Sequence, residues 1–230
     1  MKKVKKKVKL KFMPVLIMLV ILVIFFFLFK YIISIKPSLI VIRGNNLLTD
    51  RQIIDEGDLR NFKYFLINNK NINKLKKNKI IKTVQIKRKF LFTIEVTIEE
   101  KKVILYEKTT SLYILEDNEK VKLNRNIEVP VLNNKIINTI EKNFISKFVS
   151  LNESVKYRIS EIFYQPTEYD STLFLMYMKD GNHVYVNISN LDKLNHYDKT
   201  VESVGYDKKG IFRFDALVYN NIQFKLFKTN

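Results

Sequence analysis

The sequence predicts an α+β protein: one transmembrane helix, then a small domain ordered β-α-α-β-β, then a mainly antiparallel β domain backed by helices. Three observations carry this. An uncharged apolar run from Phe12 to Phe29 follows a lysine-rich start. Period-two alternation marks Ile94, Val96 and Ile98. From about Tyr106, short apolar runs alternate with turn residues and two stretches of helical periodicity. The expected parts are a basic cytoplasmic tail over residues 1–11, the transmembrane helix over 12–35, the first domain over 37–105 and the β domain over 106–230.

Residues 1–11 hold seven lysines and no acid, and the first acidic residue of the chain is Asp50. The eighteen residues from Phe12 to Phe29 rise about 27 Å as a helix, near the thickness of a bilayer's hydrocarbon core. Lys30 can snorkel, so Tyr31 to Ile35 extends the span. A cleaved signal peptide would carry small residues before its cut, and KYIISIKPS has none of that pattern. A buried core helix with Leu, Ile, Val and Phe on every face would need a large surrounding domain. The segment therefore reads as a signal anchor, with the lysines holding the N-terminus in the cytoplasm and everything beyond residue 36 outside.

The 230 residues suffice for two small domains. A net charge of +18 would ordinarily point to a polyanion. Here the tail's lysines are explained by topology, and the abundance of Lys and Asn beside five Gly and four Pro fits an AT-rich coding bias. Nucleic acid is accordingly not expected as a partner. With no cysteine there is no disulfide framework, thiolate metal site or cysteine nucleophile.

Beyond the anchor, Pro37 ends the helix and Leu39 to Ile42 reads as a strand. Gly44 and Asn45 supply a turn with positive φ, and Thr49 with Gln52 forms a capping-box pattern that starts a short helix. A weaker helical stretch passes through Leu66, Ile72 and Leu75, followed by strands at Val84–Ile86 and Ile94–Ile98 around KRKFLF. IVIRGNNLLTDRQI and LKKNKIIKTVQIKRKFLFTIEVTIEE together resemble a POTRA domain, and more narrowly the membrane-proximal domain of the FtsQ/DivIB cell-division family. Lys79 and Leu91 stand where that family's prolines are expected.

In the second half, SLYIL, EDNEK, VKL and VPVL read as strands and a turn. Ile137, Ile140, Phe144 and Phe148 give residues 135–150 one apolar helical face. ISEIFYQ, TLFLMYM and HVYVNIS read as strands, with a hairpin turn at Asp180-Gly181. Ser189 and Asp192 are expected to open a helix ending at Gly205, and GIFRFDALVY and NIQFKLFK close the chain as strands. YEKTTSLYILEDNEKVKL, VPVL, RISEI, LFLMYMKDGNHVYV, KLNHYDK and GIFRFDALVY follow the order of the FtsQ/DivIB β domain, with Glu119 in place of an expected glycine.

No catalytic constellation emerges. His183 and His196 lack clustered partners, and Glu99-Glu100 and Glu116-Asp117 point to opposite faces of a strand and read as solvated. No phosphate-binding loop, nucleophile elbow or metal-spaced cluster is present, so no enzyme activity, cofactor, metal or small-molecule substrate is expected. The dense aromatic run at the end is the candidate binding element, where an open sheet edge can accept a partner strand. Its expected contacts are Ile211, Phe212, Arg213, Phe214, Leu217, Tyr219 and Phe224, with Gly44, Asn45, Asp180 and Gly181 as structural turns. A charge at Phe214, or truncation before Gly210, is expected to abolish capture. The resemblance implies a non-enzymatic, single-pass divisome scaffold at the septum, which binds DivIC/FtsB-like and FtsL-like bitopic proteins and helps couple division to septal wall synthesis. The alternative is a membrane-anchored POTRA protein of a secretion or export system that binds client strands.

Overall fold

The structure, a computed structural model, describes residues 12–66, 69–218 and 221–228. The chain divides into two compact units, with the boundary in sequence between Glu99 and Glu100. The basic tail over residues 1–11 lies outside the described residues.

The first unit opens with helix α1, Phe12–Ser34, which is apolar on every side and buries none of its residues. Twenty-three residues at 1.5 Å each make it about 34 Å long, enough to cross a bilayer. A three-stranded sheet follows, made of β1 (Leu39–Arg43), β2 (Ile81–Lys89) and β3 (Thr93–Glu100) in the order β1-β3-β2. β1 runs parallel to β3, with Ile40 opposite Ile94 and Ile42 opposite Val96. Between β1 and β2 lie α2 (Asp50–Glu56), a 3-10 turn at Leu59–Asn61 and α3 (Asn69–Leu75). The order is thus β-α-α-β-β, as read from the sequence.

Local chemistry sets the ends of these elements. Gly44 leaves β1 with φ +83°, and Asn45 Nδ2 spans the turn by donating to Leu48 O at 2.9 Å and Asp50 Oδ1 at 2.8 Å. The Thr49 capping box is complete: Gln52 N donates to Thr49 Oγ1, and Thr49 N to Gln52 Oε1. Ile53, Leu59, Leu75, Ile94 and Val96, all fully buried, fill the space between helices and sheet. At the β2–β3 turn, Leu91 has φ +57°, which a proline ring cannot adopt, so the turn has a shape of its own.

The second unit is one nine-stranded sheet, introduced here in chain order. Its strands are β4 (Val103–Glu107), β5 (Leu112–Leu115), β6 (Lys120–Val121), β7 (Val131–Leu132), β8 (Ile159–Tyr164), β9 (Leu173–Met178), β10 (His183–Asn187), β11 (Gly210–Val218) and β12 (Asn221–Leu226). In space the order is β12-β11-β10-β9-β8-β7-β4-β5-β6. Antiparallel ladders predominate, but β4–β7, β7–β8 and β10–β11 are parallel. The boundary expected between Leu105 and Tyr106 falls inside β4, which pairs with β5 and β7 of this second sheet.

Helices α4 (Asn138–Val149), α5 (Glu153–Arg158) and α6 (Tyr197–Val204) accompany the sheet, with a 3-10 segment at Ile188–His196 leading into α6. Phe144 stacks on Phe174 at 4.2 Å, and Phe148, Leu191, Leu194, Tyr197 and Val201 join the same buried cluster with Met176, Val184, Phe212 and Phe214. Three details depart from the sequence reading. Ile137 is the exposed N-cap of α4, at 58% exposure, and Ile145 takes the buried place. Asn187 caps the later helical segment through Asn190 N, ahead of the expected Ser189. α5 carries no helical signal in the sequence, because its six residues offer only Val155 and the buried stem of Lys156 as an apolar face.

Candidate functional site

The last strand, β12, ends the sheet, and among the described residues no strand lies beyond it. β11 is not at the edge, since it pairs with β10 on one side and β12 on the other. Period two then splits the predicted contacts between the faces. Phe212 and Phe214 point into the helix-backed core with no exposed surface, and Phe224 covers Phe212 from β12 at 4.6 Å between ring centroids. Ile211 and Arg213 lie half-buried on the opposite face. There the Arg213 guanidinium sits 5.1 Å from the Tyr185 ring centre and pairs with Asp215 at 2.5 Å. Leu217 belongs to β11, whereas Tyr219 lies outside the described residues. Because Phe214 is sealed in the core, a carboxylate there would be buried without a partner and would unfold the domain. Loss of capture by such a variant would report folding rather than contact.

β12 is held by close backbone packing at its end, where Leu226 lies opposite Gly210, the first residue of β11. A Cβ at Gly210 would lie 2.3 Å from Lys225 O and 2.8 Å from the Phe224 ring, so only glycine allows this approach. Gly210 N in turn donates to Asn182 Oδ1 at 3.1 Å. Asn182 is fully buried and also donates from Nδ2 to the Tyr197 hydroxyl at 3.1 Å, while that hydroxyl donates to Asp180 Oδ2 at 2.8 Å. The Asp180-Gly181 turn, with Gly181 at φ +90°, is therefore more than a connection between β9 and β10. It is a polar joint that fixes α6 and the start of β11. Burial, reinforced by the Asp180 carboxylate, pushes the Tyr197 hydroxyl far above the ordinary tyrosine range.

His183 sits on the face away from the helices, stacked on Tyr177 at 4.2 Å and meeting Phe227 edge-on at 4.8 Å. Burial lowers its pKa from the ordinary 6.5. Folding thus favours the neutral ring, so the histidine's contribution is whole above pH 6.5 and is lost as pH falls through the lowered folded value. We expect the melting temperature to drop with acidification below pH 6.5 and the slope to flatten in His183→Phe, as measured by calorimetry across that range. An unchanged slope in the variant would remove His183 from the account.

Other predicted acidic pairs are engaged singly. Asp117 pairs with Lys101, which keeps its carboxyl below the usual range although burial alone would raise it. Glu99 lies 3.5 Å from Lys82. No group of three or more His, Asp or Glu side chains that could hold a metal occurs among the described residues. Sequence reasoning missed the buried group formed by Glu107, Lys120 and Glu141, which come from β4, β6 and α4.

Comparison with known proteins agrees with this architecture. Residues 36–101 match the family model described as POTRA domain, FtsQ-type. A cell division protein DivIB from Brevibacillus brevis is 33% identical over 183 residues, covering 75% of this chain and 69% of that protein. Another from Listeria monocytogenes is 27% identical over 230 residues, covering 95% and 84% respectively. The solved major extracytoplasmic domain of DivIB from Geobacillus stearothermophilus matches 48% of this chain and 99% of that one, at 24% identity and a TM-score of 0.39, too low to argue likeness of fold. With a relative one-third identical over most of both chains, and an FtsQ-type POTRA domain directly after an apolar helix, the chain belongs to the DivIB family of bacterial cell-division proteins.

Proposed function

We propose that the protein is a non-enzymatic scaffold of the division complex. It is anchored by α1 with its N-terminus in the cytoplasm and captures DivIC/FtsB-like and FtsL-like bitopic partners along β12. The observation that carries this reading is the position of β12 at the end of the nine-stranded sheet, with Leu226 54% exposed. An edge strand offers a row of backbone donors and acceptors that a partner strand can complete, and alternate side chains then select the partner. Gln223 and Lys225 lie on the same face as Ile211 and Arg213, so a strand added beside β12 would meet a mixed polar and cationic surface. Anchoring in one membrane with its partners raises their effective concentration, so a modest interface suffices at the septum.

The test compares the full chain, a chain ending at Asn220, and Gly210→Ala, against the external segments of DivIC-like and FtsL-like proteins from the same cell. Loss of β12 or its displacement is expected to weaken capture at least about tenfold, a difference of about 1.4 kcal/mol. A folded chain ending at Asn220 that captures as well as the whole would rule out β12 as the acceptor.

A further inference from the structure

The β2–β3 turn carries an apolar tip that the DivIB reading does not use. Phe90, Leu91 and Phe92 are exposed by 87%, 69% and 41%, and Phe65 and Leu66 beside them by 46% and 38%. Five large apolar side chains crowded at one end of a small domain are unusual on a surface facing only water. The turn is also strained: Leu91 and Phe92 both adopt left-handed backbone, at φ +57° and +54°, where Asn or Gly would be at ease. Outliers of this kind persist where surrounding structure enforces them and often mark a function.

The enforcing contacts come from the chain's exit from α1. Ser38 N donates to Phe92 O at 2.9 Å, and Ser38 Oγ donates to Leu91 O at 2.9 Å. Tyr64 N donates to Ile35 O at 2.9 Å, while the Tyr64 hydroxyl donates to Lys89 O at 2.5 Å. The Tyr64, Phe65 and Phe92 rings meet edge-to-face within 5.1–6.1 Å. Only three residues, Ile35, Lys36 and Pro37, separate the end of α1 from Ser38, a reach of no more than about 14 Å. If α1 crosses the membrane, the tip lies at its surface. Lys63 and Lys87 are exposed, one residue before Tyr64 and three before Phe90; exposed Lys36 donates to Asn61 Oδ1 at 2.8 Å, and Arg88 donates to Leu66 O at 2.7 Å. Glu95, the acidic group on the adjoining strand, is already held by Arg43 and Lys89, each at 3.1 Å.

We propose that Phe90, Leu91, Phe92, Phe65 and Leu66 insert into the outer leaflet of the membrane that α1 spans, with the surrounding lysines on acidic phospholipid headgroups. Apolar side chains then settle at the boundary of headgroups and acyl chains while basic groups stay at the headgroups, as in interfacial protein anchors. The unit is thereby fixed at two points, helix and tip, which restricts how the first domain can tilt on its anchor. The inference rests on α1 as the membrane anchor and not on partner capture.

The chain contains no tryptophan, so a single one reports its own surroundings. Full-length Leu91→Trp, and Phe90→Trp as a second position, are placed in lipid nanodiscs of phosphatidylcholine with phosphatidylglycerol, with and without brominated acyl chains. Co-elution with the discs reads insertion of α1 separately. Tyr169→Trp, at a site 97% exposed in the second unit, serves as the aqueous reference. The expected result is blue-shifted emission at positions 90 and 91, quenched by bromolipid, with quenching weakened in phosphatidylcholine alone or by Lys63→Glu with Lys87→Glu. Water-like, unquenched emission from disc-inserted protein would overturn the proposal, as would shielding that arises only when a division partner is added. Equal quenching in both lipid mixtures would overturn the role given to the lysines.

Discussion

Lys120→Ala is expected to destabilise the second unit by about 3 kcal/mol, at the lower end of what removal of one partner from a buried ion group costs. Lys120 Nζ lies 2.9 Å from Glu107 Oε1 and 2.8 Å from Glu141 Oε1. Glu107 has no exposed surface and Glu141 has 5%, so the carboxylates would remain in the core without their cation. Glu107 keeps the Thr110 hydroxyl as a donor. Glu141 Oε1 lies 2.8 Å from Lys120 Nζ and has no other hydrogen-bond donor among the described residues, which makes it the more dependent of the two on that cation. The lysine side chain retains 26% exposure, which places the cost low in the range.

Burial by itself would lower the Lys120 pKa, but the two carboxylates outweigh it and hold it above the ordinary 10.5. The lysine's contribution is therefore whole below pH 10.5 and is lost as pH rises through the higher folded value. Denaturant unfolding at neutral pH therefore reads the full effect. A triple variant, Glu107→Leu, Lys120→Met and Glu141→Leu, should recover much of the loss, since apolar groups of similar volume can replace a buried ion group. If Lys120→Ala unfolds at the same denaturant concentration as the unaltered chain, the group does not tie β6 and α4 to the sheet.

This ion group shows what the sequence could not disclose. Glu107 and Lys120 are separated by a hairpin and Glu141 by a further strand and helix, and nothing in their spacing says they meet. Local signals were legible because their physics is local: the Thr49–Gln52 box closes on itself, Gly44 and Gly181 take positive φ, and Ile94, Val96 and Ile98 alternate toward one core. The alternation in IFRFD likewise separates Phe212 and Phe214 from Ile211 and Arg213. Which face is buried, and that β12 rather than β11 is the edge, depend on sheet order, a tertiary property. The Leu91-Phe92 turn was illegible for the opposite reason. Its residues are poor formers of left-handed backbone, and contacts from Ser38 and Tyr64, distant in sequence, hold that shape.

Gly44→Ala is the second large effect, and Gly181→Ala gives it a scale. Both glycines have positive φ, +83° and +90°, so each alanine incurs the left-handed cost of about 1–2 kcal/mol. At Gly181 the new Cβ meets nothing within 4 Å, and that cost is all there is. At Gly44 the Cβ would stand 2.2 Å from Ile98 O, a backbone atom of β3 that cannot swing aside. The end of β1 must then move off β3, next to the Arg43–Thr97 pair, and each ladder hydrogen bond lost costs about 1 kcal/mol more. We expect Gly44→Ala to destabilise the first unit by roughly 3–5 kcal/mol from these two sources together. Hydrogen exchange should locate it: amides of Ile94 to Ile98 should exchange much faster, while those of β8 to β10 keep their protection. The same displacement would loosen the Ser38 contacts that hold the β2–β3 tip, because Ser38 immediately precedes β1. Equal costs for the two alanines would mean that β1 yields by a small shift, and that the close approach at Ile98 contributes little to holding the first domain at its anchor.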